Sequence, residues 1–270
     1  MELRGYSGCR VELVTDRDLI FVRKTSKSID YNQRLQKQAM KQQNFICNKY
    51  FTTPIILGEG FINNLYYFDM EYVRGKTAAD YFKTLEIYKI REFCEALTSV
   101  VDQSKKEMCS FSVIKEKIEK LKIVLPSTTV IVDALKILEN YHWGNVENST
   151  CHGDLTLNNI IISKDGFYLI DFLDSFCESW MIDVAKLLQD IEIFWAYRNS
   201  QKIDENLNVR ILIANNLLMN KLHSMKNGKS VVTTVYYFLL LNLLRIIPYT
   251  KIREDLLFLE NKIKEVIKLL

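Results

Sequence analysis

The chain has 270 residues, of which 48% are hydrophobic and 26% are charged, and its 36 basic and 33 acidic side chains give a formal net charge of +3. This composition excludes a low-complexity or collagen-like chain. A near-neutral charge without a dense basic stripe predicts no binding of nucleic acid. The length suits one large domain or two lobes.

The cysteines lie far apart in the sequence, at Cys9, Cys47, Cys94, Cys109, Cys151 and Cys177. None forms the C-x-x-C spacing by which metal clusters and redox motifs place two thiolates at one centre. The first residues also lack the apolar segment of a signal peptide. We therefore expect a cytoplasmic protein whose cysteines are reduced.

The first seventy residues are typical of a small sheet with one helix. Strand-forming residues occur in short stretches within residues 3–14, and an apolar, β-branched run resumes at residues 19–22. The polar residues 15–18 between them indicate a hairpin turn. Residues 31–43 then consist mainly of good helix formers, and residues 66–73 return to a strand pattern.

From about Thr77 the pattern is mainly helical, with apolar residues at the i, i+3, i+4 spacing. The helical segments are residues 78–105, 113–124, 130–142, 180–198, 205–226 and 251–270. One β-like island, formed by residues 159–162 and 167–170, interrupts them. Its halves are joined by the sequence Ser-Lys-Asp-Gly, and an Asp-Gly pair between apolar runs predicts a β-hairpin.

The segment 231–249 is apolar enough to resemble a membrane span. It contains the polar residues Asn242 and Arg245, however, and Pro248 ends it. A polar-interrupted run of this length is more typical of a helix buried inside a large helical domain. We therefore expect a core helix and no membrane association.

These elements predict an α+β protein with two lobes. Residues 1–73 form a β-rich N-terminal lobe, consisting of a sheet and one helix. Residues 74–270 form a mostly helical C-terminal lobe that contains the embedded hairpin.

Polar residues bracket the predicted hairpin. The sequence HGDLTLNN precedes it at residues 152–159, and LIDF follows at residues 169–172. Because a hairpin brings its two ends together, Asp154, Asn159 and Asp171 should converge. Two carboxylates and an amide oxygen suit Mg²⁺, which takes its remaining ligands from water and substrate phosphates.

The spacing His-x-Asp-x-x-x-x-Asn, followed by an Asp across a hairpin, matches the template of phosphoryl transfer. HGDLTLNN and LIDF resemble the catalytic signature of the aminoglycoside phosphotransferase and choline kinase family, the small-molecule branch of protein-kinase-like folds. The resemblance implies a protein-kinase-like two-lobe fold. It also implies a Mg²⁺-dependent kinase that transfers the γ-phosphate of ATP, or of GTP, to a hydroxyl group of a small molecule.

The resemblance carries roles onto individual residues. Asp154 resembles the catalytic base that orients the acceptor hydroxyl, and Asn159 and Asp171 resemble the Mg²⁺ ligands. His152 resembles the structural histidine that braces the catalytic loop. Asp183 lies in a segment that resembles the family segment where an Asp precedes an Ala-x-Leu-Leu helix. Asp183 could cap the helix, support the catalytic loop or contact substrate, and we favour a structural role.

The N-terminal lobe supplies candidates for nucleotide binding. Gly5, Ser7 and Gly8 belong to a Gly-Tyr-Ser-Gly turn that could fold over phosphates, or could simply be a hairpin turn. Lys24 is the candidate cation for the phosphates. Arg23, which lies on the opposite face of the strand, is the fallback.

The resemblance also assigns roles to one helix residue and to a connector segment. Gln38 aligns with the helix glutamate that normally fixes the phosphate-binding lysine, and it supplies no charge. Met70, Glu71 and Val73 resemble the connector that cradles adenine, with Met70 as the gatekeeper residue.

The acceptor is predicted only as a class. We favour a sugar or related metabolite, with an aminoglycoside or a choline-type amino alcohol as alternatives. Acidic residues that could meet a polycationic drug, or could form a solvated helix face, are Glu178, Asp183, Asp190 and Glu192. Aromatic residues that could line an acceptor pocket or cage a quaternary amine, but that are more typical of a core, are Trp180, Phe194, Trp195 and Tyr197.

The alternative from another class is a nucleotide-binding pseudokinase that acts as a scaffold. Its support in the sequence is the missing glutamate partner for Lys24. The intact set of Asp154, Asn159 and Asp171 favours an enzyme, because a scaffold requires none of the three.

Overall fold

The computed structural model describes residues 2–3, 9–17, 19–102, 104–200 and 204–270. The predicted phosphate loop with Gly5, Ser7 and Gly8 lies outside the described residues. The predicted fold class is confirmed, because a β-rich N-terminal part is followed by a mostly helical C-terminal part.

The elements are numbered in chain order. The strands are β1 (Glu2–Leu3), β2 (Cys9–Asp16), β3 (Leu19–Ser26), β4 (Phe51–Thr52), β5 (Ile56–Ile62), β6 (Leu65–Glu71), β7 (Lys76–Thr77), β8 (Ser104–Met108), β9 (Glu147–Ser149), β10 (Ile160–Ser163) and β11 (Gly166–Leu169). The helices are α1 (Ile29–Gln43), α2 (Ala78–Thr84), α3 (Ile90–Thr98), α4 (Phe111–Val124), α5 (Thr129–Asn140), α6 (Trp180–Ile191), α7 (Glu205–His223), α8 (Gly228–Ile246) and α9 (Arg253–Leu269).

The chain forms two compact units. The first consists of Met1–Ala78 with Asn159–Asp174, and the second of Ala79–Asn158 with Ser175–Leu270. This grouping differs from the predicted division at residue 73. The hairpin of β10 and β11 joins the first unit because β7 pairs with β10 and β4 pairs with β11.

The larger sheet of the first unit has the strand order β1-β2-β3-β6-β5. The predicted hairpin in this region is confirmed, since β2 and β3 pair in an antiparallel register from Cys9 and Ser26 to Asp16 and Leu19. Helix α1 packs on β3 and β6. The core between them contains Cys9, Val22, Leu35, Ala39, Tyr66, Phe68 and Met70.

The smaller sheet contains the second predicted hairpin, which is also confirmed. Ile160 pairs with Leu169, and Ser163 pairs with Gly166 at the turn. Gly166 has a φ of +133°, a backbone conformation that residues with a Cβ atom rarely adopt. The glycine of the Asp-Gly pair therefore closes this turn.

The second unit is built around α8, which packs against α6, α7 and α9. Within the described part of the chain, Gly228–Tyr249 is long and apolar enough to cross a membrane, with a mean hydropathy of 1.7. In the most apolar 18-residue stretch of this segment, 61% is buried inside the protein, and the buried residues include the polar Asn242. This burial is the pattern expected of a core helix.

Several of the described elements differ from the sequence prediction. The predicted helix 78–105 is divided into α2, α3 and strand β8, because β8 pairs with β9. The predicted helix 180–198 ends at Ile191 and gives way to a left-handed residue, Phe194, with a φ of 63°. Strand β5 is missed by the sequence pattern because glycines at positions 58 and 60 interrupt its apolar alternation.

Candidate active site

The hairpin of the first unit brings two predicted metal ligands to one end. Asn159 immediately precedes β10, and its carbonyl accepts a hydrogen bond of 3.0 Å from the N–H of Ile170, just after β11. Asp171 follows with a φ of 62°, a left-handed conformation that Asp tolerates better than most residues. This turn leaves the Asp171 side chain 44% exposed.

Lys24 is the cation that contacts this end of the hairpin. Its side chain is buried in β3, and its Nζ atom forms an ion pair with the Asp171 carboxylate. Burial alone would lower the pKa of Lys24, but the charge of Asp171 raises this pKa above its ordinary value. The ammonium group is therefore charged at neutral pH.

Arg23, the fallback cation, is engaged on the other face of the strand. Its guanidinium group donates two hydrogen bonds to Asp69, at 2.7 and 2.8 Å, and it stacks over the Tyr67 ring at 4.3 Å. Of the two neighbouring cations, Lys24 is the one that meets Asp171.

Gln38, the predicted partner of Lys24, makes a different contact. Its side chain is buried in α1 and donates a hydrogen bond of 3.2 Å to the hydroxyl of Tyr31. The charge that compensates Lys24 comes from Asp171 instead. The sequence pattern could not indicate this pairing, because it joins β3 to a hairpin far along the chain.

The predicted adenine connector lies at the end of β6. Met70 is buried, and its sulfur accepts a hydrogen bond of 3.6 Å from the amide of Gln42. Glu71 ends the strand and donates its N–H to the carbonyl of Ile55 at 2.9 Å. Val73 follows β6, is partly exposed and belongs to no strand or helix.

In the second unit, α6 holds the loop that carries Asp154. The carboxylate of Asp183 accepts hydrogen bonds from the N–H groups of His152 and Gly153, at 2.6 and 2.7 Å. His152 is fully buried, and its Nδ1 atom accepts a hydrogen bond of 3.2 Å from the N–H of Asp154. Asp183 therefore holds the loop by accepting hydrogen bonds from two of its backbone N–H groups, and His152 stabilises the loop through a hydrogen bond inside it.

Asp154 itself pairs with a residue that the sequence pattern did not single out. Its carboxylate lies 3.0 Å from the Nζ atom of Lys186, which is also buried in α6. Burial would raise the pKa of Asp154, but the charge of Lys186 outweighs it and the pKa lies below its ordinary value. Asp154 is therefore an ionised carboxylate at neutral pH.

Asp190 forms a third contact between α6 and the same loop region. Its carboxylate accepts hydrogen bonds from the N–H groups of Leu157 and Ala196, at 2.7 and 3.1 Å. The helix thus presents Asp183, Lys186 and Asp190 on one face, at the i, i+3, i+7 spacing. That spacing of charges within an otherwise apolar helix is the signal by which Lys186 and Asp190 could have been found.

The interpretation of the acidic residues as a solvated helix face is wrong for Asp183 and Asp190. All of α6 is buried, and Asp190 is 0% exposed. Both carboxylates bind backbone N–H groups of this unit, so they are not available to a polycationic drug either.

The aromatic residues are divided between core and surface. Trp180 and Tyr197 are both 1% exposed, and the Tyr197 hydroxyl donates to the carbonyl of Ala79 at 2.9 Å. These two residues are part of the core. Phe194 and Trp195 are partly exposed, and the guanidinium of Arg198 stacks on the Trp195 ring at 3.9 Å.

We expect Asp183→Ala to destabilise the second unit strongly. The substitution leaves the N–H groups of His152 and Gly153 buried without their acceptor, at a cost of about 2–4 kcal/mol. Urea unfolding measures this loss. Asp133→Ala, which removes an exposed aspartate from α5, should change the free energy of unfolding by less than about 0.5 kcal/mol. Equal effects of the two substitutions would contradict the assigned role of Asp183.

We expect Asp190 to make stability depend on pH. Burial raises the pKa of Asp190 to about 7 from an ordinary 3.8, although two backbone N–H groups and Lys186 act in the opposite direction. Between these values the folded protein keeps a proton that the unfolded chain has lost, so stability falls as pH rises. The contribution is roughly 1 kcal/mol per pH unit.

The measurement compares urea unfolding of the wild type and Asp190→Asn at pH values from the ordinary pKa of 3.8 to above about 7. The free energy of unfolding of the wild type relative to the variant should fall as pH rises towards about 7 and level off above it. A difference that is independent of pH would contradict a raised pKa for Asp190.

The donor set of the hairpin end fits a divalent cation. Asn159 and Asp171 offer an amide oxygen and a carboxylate, which are the hard ligands that Mg²⁺ prefers. Asp171 is accessible to solvent, so water and phosphate oxygens can supply the remaining ligands.

Comparison with known proteins gives a partial match to one family model and a shared fold. Residues 124–221 match the model for the phosphotransferase enzyme family. Comparison with curated proteins gives no match.

Among solved structures, three small-molecule kinases share the fold over nearly the whole chain. A protein from Haemophilus somnus assigned as a fructosamine-3-kinase has a TM-score of 0.59 and 14% identity, over 97% of this chain and 90% of its own. An amicoumacin kinase in complex with AMP-PNP, Ca²⁺ and Ami has a TM-score of 0.55 and 16% identity, over 98% and 87%. A choline/ethanolamine kinase family protein from Mesorhizobium loti has a TM-score of 0.53 and 13% identity, over 100% and 87%.

Proposed function

We propose that this chain, whose residues 124–221 match the model for the phosphotransferase enzyme family, transfers the γ-phosphate of ATP to a hydroxyl group of a sugar or related metabolite. The observation that carries this proposal is the fixed and ionised Asp154. Its loop is held by Asp183, and its carboxylate is paired with Lys186 at 3.0 Å.

Asp154 accepts and orients the hydroxyl proton of the acceptor. Phosphoryl transfer has a loose transition state, so the base needs to hold the hydroxyl in line more than it needs to be strongly basic. The lowered pKa of Asp154 suits this role, because the carboxylate is ionised whenever the acceptor arrives.

Lys24, Asn159 and Asp171 act on the nucleotide. Asn159 and Asp171 would hold Mg²⁺, and Lys24 would bind phosphate oxygens with its ammonium group. An ion held there would supply positive charge that offsets the charge of the phosphates. The ion pair of Lys24 with Asp171 supports this assignment, since it supplies the anionic partner that Gln38 lacks.

A neutral hydroxyl acceptor is favoured because the candidate acids for a polycation are occupied. Asp183 and Asp190 accept backbone N–H groups. Glu192 accepts hydrogen bonds from the Tyr236 hydroxyl at 2.9 and 2.8 Å, and Glu178 accepts one from the thiol of Cys151 at 3.2 Å. The fructosamine-3-kinase assignment of one structural neighbour supports a sugar-type acceptor.

The test is transfer of label from γ-labelled ATP to a panel of sugars, amino alcohols and aminoglycosides. We expect a sugar-type acceptor to be labelled, and EDTA to abolish the labelling until Mg²⁺ is restored. Labelling of only an aminoglycoside or an amino alcohol would support the phosphotransferase reaction but contradict a sugar-type acceptor. Nucleotide binding without any labelled acceptor, with GTP tried in parallel, would favour the pseudokinase scaffold.

A further inference from the structure

Two cysteine sulfurs lie in contact in the second unit, outside the residues assigned to phosphoryl transfer. The Sγ atoms of Cys109 and Cys177 are 2.9 Å apart, and both cysteines are free thiols. We propose that Cys109 and Cys177 are a redox-active dithiol, which hydrogen peroxide oxidises to a disulfide and thiol reductants reopen. The sequence predicts reduced cysteines without a redox motif, because spacing in the sequence does not reveal a pair that the fold brings together.

The backbone around both cysteines is fixed by hydrogen bonds. Cys109 follows β8 and donates its N–H to the carbonyl of Val146 at 2.8 Å. Cys177 precedes α6, whose first residue Trp180 donates its N–H to the hydroxyl of Ser149 in β9 at 2.7 Å. A disulfide bond measures about 2.05 Å, so the sulfur atoms need to approach each other by less than about 1 Å.

The two thiols differ in a way that gives each a role. Cys109 is partly exposed, whereas Cys177 is 3% exposed. The S–H group of Cys177 donates to the Cys109 sulfur, which lowers the pKa of Cys109 below its ordinary value. The same contact, together with burial, raises the pKa of Cys177. Because the thiolate is the reactive form, Cys109 is the attacking sulfur and Cys177 the resolving one.

The reaction consumes one peroxide and needs no cofactor. The Cys109 thiolate attacks one oxygen of hydrogen peroxide, so an S–O bond forms, the O–O bond breaks and hydroxide leaves. The Cys177 sulfur then attacks the sulfenic acid of Cys109, so an S–S bond forms and the S–O bond breaks. The two thiol protons end in the two water molecules, and the two sulfurs are oxidised as the two peroxide oxygens are reduced.

A third thiol, Cys151, lies nearby and is held differently. It is buried, and its sulfur donates to the Glu178 carboxylate at 3.2 Å. The sulfur–sulfur contact on which the proposal rests is that of Cys109 with Cys177.

The test treats the full chain with hydrogen peroxide, blocks the remaining thiols and maps the peptides by mass spectrometry without reduction. We expect the major linked peptide to join Cys109 to Cys177, with a mass lower by two hydrogens, and to disappear on treatment with dithiothreitol. Cys109→Ser and Cys177→Ser should each abolish it. Cys47→Ser, which removes an exposed thiol, should leave it unchanged.

A second variant readout separates the two roles. Cys177→Ser should accumulate a sulfenic acid at Cys109 that dimedone traps, because the resolving thiol is gone. A linked peptide that contains Cys151, or oxidation without any link between Cys109 and Cys177, would overturn the proposal. None of these readouts requires catalysis, so their outcome is independent of the proposed phosphotransferase function.

Discussion

Asp154→Asn is expected to lower kcat for phosphoryl transfer by at least about 100-fold, the range in which a lost general base acts. The amide keeps the size of the side chain, and its oxygen can still accept the hydrogen bond from Lys186. The loop should stay in place, because Asp183 binds it through the backbone of His152 and Gly153. The variant should therefore lose turnover and keep its fold.

The measurement is steady-state kinetics with the acceptor that the panel identifies, beside urea unfolding and nucleotide binding. Asp133→Asn, at an exposed position of α5, is the matched control and should retain the wild-type rate. An Asp154→Asn protein that is folded, binds ATP and turns over at the wild-type rate would remove Asp154 from the mechanism.

Lys24→Met is expected to weaken nucleotide binding by about 10- to 100-fold. A hydrogen bond to a charged group contributes about 1.5–3 kcal/mol, and this energy corresponds to that range of affinity. Methionine fills the buried position with a flexible apolar chain of similar length. Asp171 loses its ion pair but is 44% exposed, so water can solvate its carboxylate.

Arg23→Met is the control, because Arg23 lies next to Lys24 on the other face of β3 and pairs with Asp69. Titration with an ATP analogue and Mg²⁺ should show wild-type affinity for this variant and a large loss for Lys24→Met. The reverse result would move the phosphate-binding role to Arg23. Equal affinity of both variants would show that neither residue binds the phosphates.

Local sequence patterns predict those parts of the site that local structure determines. The Asp-Gly turn specifies the hairpin, and the hairpin alone is enough to bring Asn159 next to Asp171. The opposite faces of Arg23 and Lys24 follow from strand geometry. These features depend on residues that are close in sequence or joined by one turn.

The contacts missed by sequence reasoning are long-range. The resemblance predicts Gln38 on α1 as the partner of Lys24, whereas the fold brings Asp171 to it. Lys186 and Asp190 lie more than thirty residues after the loop that they bind, and they resemble an ordinary charged face until α6 is known to be buried. The contact between Cys109 and Cys177 has no local signal either, because 68 positions separate them.

The predicted boundary between the lobes illustrates the same limit. Composition changes from strand to helix near residue 73, but the compact units are set by strand pairing. Two short strands, β4 and β7, bind the hairpin to the N-terminal unit. Strands of two residues carry too little pattern to be predicted from the sequence.

In a kinase of small-molecule hydroxyl groups, the γ-phosphate passes to the acceptor hydroxyl and not to water. The most direct measurement counts phosphorylated acceptor against ADP in one reaction by phosphorus NMR, with ATP, Mg²⁺ and the identified acceptor. We predict equal amounts of the two products, no ADP without acceptor, and formation of both products at least about 100-fold more slowly with Asp154→Asn. ADP accompanied only by inorganic phosphate, or ATP that is bound and never consumed, would contradict the assignment of this chain as a kinase of small-molecule hydroxyl groups.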